Sequence, residues 1–255
     1  MKTLRMLSLL AVSLYGAPLA LTALDGTADS SAFTNQYNGN QIWDGSAFVN
    51  DWVQSGGHTP AAVSVSGSNL IVSPDADNGW VQHDSDTTAW ETGSGNWTIE
   101  VSVKLNDVDS AVNDGMVVWG ERDGNRGVLW IQDQAVSDLN GVEIASGFDN
   151  TDGFHTYRIA FDSTDMSAGT TGTHHVWRDD VLLSGAGVDI NLAGGSLSRL
   201  IVGDCCTNIG NPVDQYELAY IRYQPDMALA PVPEPNSIFL LCMGLLGLLR
   251  LRSRR

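Results

Sequence analysis

Three groups of side chains in this 255-residue chain could do chemistry. The first is acidic. Asp107, Asp109 and Asp114 fall in one short stretch with Asn106 and Asn113 close by, and Asp75, Asp77 and Asn78 form a second cluster. Calcium takes about six to eight oxygen ligands, which carboxylates and loop carbonyls supply. Neither cluster has EF-hand spacing, and Asp and Asn also favour solvated turns. Each is therefore read either as a turn or as a Ca²⁺ site, with Asp107, Asp109 and Asp114 the stronger candidates. No other cofactor is indicated. The second group is aromatic. Trp119, Trp130 and Trp177 lie on apolar runs, with Trp80 near a loop. Tryptophan stacks on sugar rings, and it also fills β-sheet cores. The third group is the five histidines, His58, His83, His155, His174 and His175. They stand beside no Gly-x-Ser-x-Gly motif and no zinc spacing. Adjacent His174 and His175 point to opposite faces of a strand, so they are read as one packed and one exposed imidazole. Cys205 and Cys206 are neighbours and read as a vicinal disulfide or as thiols.

The elements that must carry these groups are strands. In Trp97 to Leu105, apolar residues alternate with Thr98, Glu100, Ser102 and Lys104. That period of two predicts one buried face and one polar face. Glu100, alone on the polar face, is expected to be solvated, and Glu217 likewise. Met116–Glu121 and Gly127–Gln132 flank Asp123-Gly124, a strong hairpin signal. Further strand patterns lie at 69–73, 79–82, 154–161, 174–178, 181–183, 200–203 and 216–223. Clusters of Gly, Asn, Asp and Ser separate them, and no stretch of a dozen residues holds a helical period. Many short strands without helices predict an all-β, two-sheet antiparallel sandwich.

The order of these pieces resembles the concanavalin A-like, or laminin-G-like, jelly roll. The residues that carry the resemblance begin with Trp97-Thr-Ile-Glu-Val-Ser-Val, Gly115-Met-Val-Val-Trp and Phe154-His-Thr-Tyr-Arg-Ile. Val176-Trp-Arg-Asp-Asp-Val, Leu200-Ile-Val-Gly-Asp and the closing Tyr216-Glu-Leu-Ala-Tyr-Ile-Arg-Tyr complete it. The fold hosts lectins, glycanases and inert adhesive modules, so it does not decide function. Laminarinase-type hydrolases of this fold carry Glu-x-Asp-x-x-Glu on one strand, giving two carboxylates about 5 Å apart for a retaining mechanism. That motif does not occur here, so the domain is read as no glycoside hydrolase. A non-catalytic module for exopolysaccharide, a surface glycan or another partner is the leading reading. A purely structural matrix or adhesion protein and a glycan-active enzyme with an atypical site are the alternatives.

The two ends explain where such a domain works. Lys2 and Arg5 precede the apolar run from Met6 to Tyr15, and small residues follow to Ala23. Residues 1–23 thus read as a signal peptide removed by signal peptidase. The sandwich is placed at 24–223 and a Pro-containing linker at 224–237. Residues 238–249 form an apolar segment, and Arg250, Arg252, Arg254 and Arg255 form a basic tail at 250–255. Arginines mark the cytoplasmic side of a membrane. Twelve apolar residues make about 18 Å of helix at about 1.5 Å each, against a hydrocarbon core of about 30 Å, so neighbouring residues must help the segment span. Pro233-Glu234-Pro235, the apolar segment and the basic tail together resemble the PEP-CTERM sorting signal of Gram-negative bacteria. The resemblance implies a transmembrane anchor, cutting near the motif by the membrane protease exosortase, and delivery from the inner membrane to the cell surface or extracellular matrix.

Charge fits export. Of the chain's 13 basic and 30 acidic residues, six basic residues and one acid belong to the terminal signals, which leaves 7 and 29 and a balance near −22 for residues 24–231. Such a domain repels nucleic acid and attracts cations.

Overall fold

A computed structural model describes residues 24–55, 63–73, 78–83, 90, 95–107, 115–122, 125–138, 140–166, 172–183, 198–205 and 215–232. In chain order the strands are β1 (Gly26–Ala28), β2 (Asn35–Asn38), β3 (Trp52–Ser55), β4 (Val63–Ser66), β5 (Asn69–Val72) and β6 (Asn78–His83). Then come β7 (Trp97–Asp107), β8 (Met116–Arg122), β9 (Asn125–Ile131), β10 (Ala135–Asp138), β11 (Glu143–Ser146) and β12 (His155–Asp162). The last are β13 (Thr173–Arg178), β14 (Val181–Leu182), β15 (Arg199–Cys205), β16 (Gln215–Pro225) and β17 (Leu229–Pro231). Among the described residues one α-helical turn, Gly39–Ile42, interrupts them.

Two antiparallel sheets face each other. One runs β11-β10-β9-β8-β15-β6-β3, and the other runs β14-β13-β12-β7-β16-β5-β4 with β2 also paired to β16. This is the two-sheet sandwich expected from the alternating runs. The hairpin read from Asp123-Gly124 is present, since Arg122 pairs with Asn125 and Glu121 with Arg126. Trp97, Ile99, Val101, Val103 and Leu105 all face the core between the sheets, as their spacing predicts.

The core is built around rings. Trp97 lies 5.8 Å from Phe161 and 5.5 Å from His174, and Phe161 lies 4.6 Å from His174. Room for them comes from the opposite sheet, where Gly120 and Gly127 pair across β8 and β9. A Cβ on Gly127 would come within 2.6 Å of the His174 ring and 3.0 Å of Trp97. Gly127→Ala should therefore overpack this recess and lower stability by about 1–3 kcal/mol, read as a shift of the urea midpoint.

Two expectations are corrected here. The outward face of β7 is not solvated, because Thr98, Glu100 and Ser102 are buried along with the core face. A third layer covers Thr98, while Arg158 and Tyr220 lie against Glu100. β1 pairs in parallel with β17, and Asp25 Oδ2 accepts from Ala228 N at 2.7 Å. Thr98 Oγ1 donates to Met227 O at 2.8 Å and accepts from Leu229 N at 2.8 Å. Structure thus continues to Pro231, inside the stretch expected as a linker from 224. The cause is local chemistry: Ala228, Leu229 and Ala230 bury small apolar side chains against Ala160 and Trp177 or against Ala28 and Phe33. His175 is the second correction. Both imidazoles are buried, with His174 in the core and His175 on the opposite face, 3.2 Å from Asp165 Oδ2.

No described helix is long and apolar enough to cross a membrane. Residues 1–23, 233–237, 238–249 and 250–255 lie outside the described residues.

Candidate functional site

The outer face of the β11-to-β3 sheet carries the best-formed cluster of polar and aromatic groups. Side-chain alternation on β8 sends Met116 and Val118 to the core and Val117, Trp119 and Glu121 outward. The ladder then brings in neighbours from both sides. Trp119 is paired with Ile201 on β15 and Val128 on β9, and Glu121 with Arg199 and Arg126 on the same two strands. Val117, Trp119, Val128, Trp130 and Ile201 pack as one outer apolar cluster.

Two guanidinium groups lie against one indole. Arg126 and Arg199 each place their central carbon 5.0 Å from the Trp119 ring centroid. Such contacts are attractive because the cation faces the negative π-surface, at about 0.5–2 kcal/mol each depending on desolvation. Glu121 is fully buried, and its Oε2 accepts from Arg199 Nε at 3.0 Å. Its Oε1 has no hydrogen-bond partner, nor do Trp119 Nε1, Trp130 Nε1 and Ser137 Oγ. The core indoles of Trp43, Trp52 and Trp97 share that state, so the unpartnered indole nitrogens are not what distinguishes this face. What distinguishes it is the convergence of Trp119, Glu121, Arg126 and Arg199. Arg199 keeps 27% of its side chain exposed, so the cluster reaches solvent through its guanidinium.

The three tryptophans expected as sugar-stacking residues do not form one surface. Trp119 and Trp130 share this face, whereas Trp177 lies on the outer face of the other sheet, beneath Ala228 and Ala230. Trp130 has no exposed surface, Trp177 keeps 3% and Trp119 keeps 6%. None offers a bare ring to a sugar. The large area of an indole explains this, since it is most stable where neighbours cover it.

The acidic clusters are less visible. Asp109 and Asp114 lie outside the described residues, as do Asp75 and Asp77, and Asp107 is seen only as the last backbone position of β7. Among the described residues no three His, Cys, Asp or Glu side chains converge as a metal site requires. The sorting residues Pro233, Glu234, Pro235, Arg250, Arg252, Arg254 and Arg255 also lie outside.

Glu121, Arg126 and Arg199 were not singled out from the sequence. The signal for two of them was present. The Asp-Gly hairpin signal predicts pairing of the flanking runs, and the β8–β9 ladder places Glu121 directly across from Arg126. Nothing local predicts Arg199, because its pairing joins strands 78 positions apart.

Comparison with known proteins finds a sorting motif at the C-terminal end of the chain. Residues 231–255 match the family model of the PEP-CTERM protein-sorting motif. The motif marks an exported protein sorted at the cell envelope. A search of curated proteins finds no match to the chain. Among solved structures, the carbohydrate recognition domain of Emp47p superposes with a TM-score of 0.46 at 11% identity, covering 78% of this chain and all of that one. The endo-1,3-β-glucanase from Streptomyces sioyaensis gives 0.41 at 14% identity, covering 80% of this chain and 92% of the enzyme. At that distance neither lends its ligand or its activity to this chain.

Proposed function

We propose that the chain is an exported surface or matrix protein whose sandwich binds carbohydrate without cleaving it. Exosortase removes its tail, and the contact face is the outer face of the β11-to-β3 sheet. The observation behind this reading is the cluster at Trp119, where an indole, a carboxylate and two guanidinium groups are held by adjacent ladder positions. Rigid strands pre-organise the donors, which lowers the ordering cost of binding. The non-catalytic part of the reading rests on the neighbours of Glu121. A retaining glycosidase needs a second carboxylate about 5 Å away, and the residues across the ladder from Glu121 are Arg126 and Arg199 instead.

The test is a glycan array and affinity gels with the full-length chain in detergent. Retention on at least one polysaccharide, with no release of reducing ends, is the expected result. Trp119→Ala removes the ring on which Arg126 and Arg199 converge and should weaken retention about tenfold, the equivalent of about 1.4 kcal/mol. A blank array would leave a matrix protein without a glycan ligand, and new reducing ends would make it an enzyme.

A further inference from the structure

We infer that this face selects acidic sugars, those bearing a carboxylate or a sulfate ester, through Arg126 and Arg199. The inference rests on the carbohydrate-binding reading and narrows it. Neutral sugars are usually held by stacking on an open ring. Here Trp119 is 6% exposed and both guanidinium groups lie at its ring, so a ligand meets the arginines before it meets the indole. A guanidinium presents planar, paired N–H donors that match a carboxylate or sulfate. Glu121 takes Arg199 Nε, and 27% of the Arg199 side chain stays exposed to solvent.

Charge distribution sharpens the point. Lys104, Arg122, Arg126, Arg158, Arg178, Arg199 and Arg222 are the cations of residues 24–231. Arg158 is buried against Glu100, and Arg122 is buried with Asp226 at 2.8 Å. Arg178 is held by Asp179 at 3.1 Å and Asn150 at 2.9 Å. Two of the remaining four converge on Trp119. Arg199 there is paired with the buried Glu121 at 3.0 Å, so two guanidinium groups and one carboxylate meet at this ring on a domain near −22. The dispersed negative charge repels a polyanion at long range, but at physiological salt that repulsion is screened beyond about 8 Å. Ion pairs in direct contact are screened much less, so the local arginines decide binding at contact.

The experiment titrates the full-length chain in detergent, at physiological salt, with three glycans. They are an oligouronate, a sulfated galactan and a neutral β-glucan. The oligouronate or the sulfated galactan should bind at least tenfold more tightly than the neutral glucan, and the stronger of the two identifies the anionic group. Arg126→Gln and Arg199→Gln should each weaken that ligand by about tenfold or more, and by clearly more than they weaken the neutral glucan. Arg199→Lys keeps the charge but loses the planar fork, and should fall between Arg199→Gln and the unaltered chain. Melting curves of each variant separate lost binding from lost folding. Equal or tighter binding of the neutral glucan would overturn the acidic-sugar inference and leave the broader carbohydrate reading intact. Unchanged oligouronate and sulfate affinity in both glutamine variants, with the fold retained, would also overturn it. Failure of all three glycans together with a blank array would remove the carbohydrate reading itself.

Discussion

Glu100→Gln is expected to cost the folded domain about 3–5 kcal/mol, the range for breaking one side of a buried ion pair. Glu100 is fully buried on β7, and Arg158 on β12 keeps only 2% of its side chain exposed. Arg158 Nε donates to Glu100 Oε2 at 2.7 Å, and its Nη2 donates to the same oxygen. Tyr220 Oη donates to the other oxygen at 3.0 Å, and burial together with Glu100 raises the Tyr220 pKa. The amide of glutamine would keep the shape and lose the charge. Arg158 would then be a buried cation without its counter-charge, because Arg222 beside it is positive too and lies 3.9 Å from Glu100. The effect should spread to the third layer, since Arg158 Nη1 donates to Ala28 O at 2.9 Å and stacks over Phe33. Urea denaturation of both proteins measures the loss. Adding Arg158→Met should recover part of it, because two apolar groups in place of a buried pair leave no unpaired charge. A cost below about 0.5 kcal/mol, normal for an exposed site, would show that β7 has a solvated face after all.

That contrast shows what the sequence could and could not tell. The alternation in Trp97–Leu105 located a strand and its core face, because a period of two is a property of neighbouring residues. The same pattern assigned Glu100 to solvent, since it carries no information about a later layer. Burial of Glu100 depends on Arg158 and Tyr220, 58 and 120 positions downstream, with Phe33 lying over the Arg158 guanidinium. Small residues such as Ala228 and Ala230 hid β17 in a stretch that reads as linker. The hairpin at Asp123-Gly124 was legible for the opposite reason, as turn chemistry is local. The candidate site falls between these cases. Glu121 and Arg126 follow from the hairpin register, whereas Arg199 and the cover over Trp119 are long-range. Trp119 is therefore covered rather than bare: an indole on an apolar strand attracts covering groups that no window of sequence displays.

Stability should fall as the pH drops below about 6.5, the ordinary His value, with His174 as a principal cause. The imidazole is fully buried between Trp97 and Phe161, and neither ring nitrogen has a hydrogen-bond partner. Desolvation, helped by nearby His175, pushes its pKa down to about 3. At neutral pH His174 is uncharged in both folded and unfolded chains, so it contributes no pH dependence there. Below about 6.5 the unfolded chain takes up a proton that the folded chain refuses, and the equilibrium shifts toward unfolding by about 1.4 kcal/mol per pH unit. The shift ends only near the folded value of about 3. Between pH 7 and pH 4.5 this amounts to about 2–3 kcal/mol, an order-of-magnitude figure. Carboxylates such as Asp44 and Asp149, whose pKa values are lowered mainly by hydrogen bonds from Ser46 and Thr151, add a loss of the same sign, but at a lower pH. A His174→Phe variant separates the two. It keeps a ring beside Trp97, leaves no donor or acceptor unpaired, and cannot titrate. Urea midpoints taken from pH 7 to pH 4.5 should therefore fall less steeply in the variant than in the natural protein, whatever their offset at pH 7. Parallel lines would mean that His174 is protonated in the folded state. The ring would then need a partner for its charge, which the arrangement of Trp97, Phe161 and Gly127 around it does not provide.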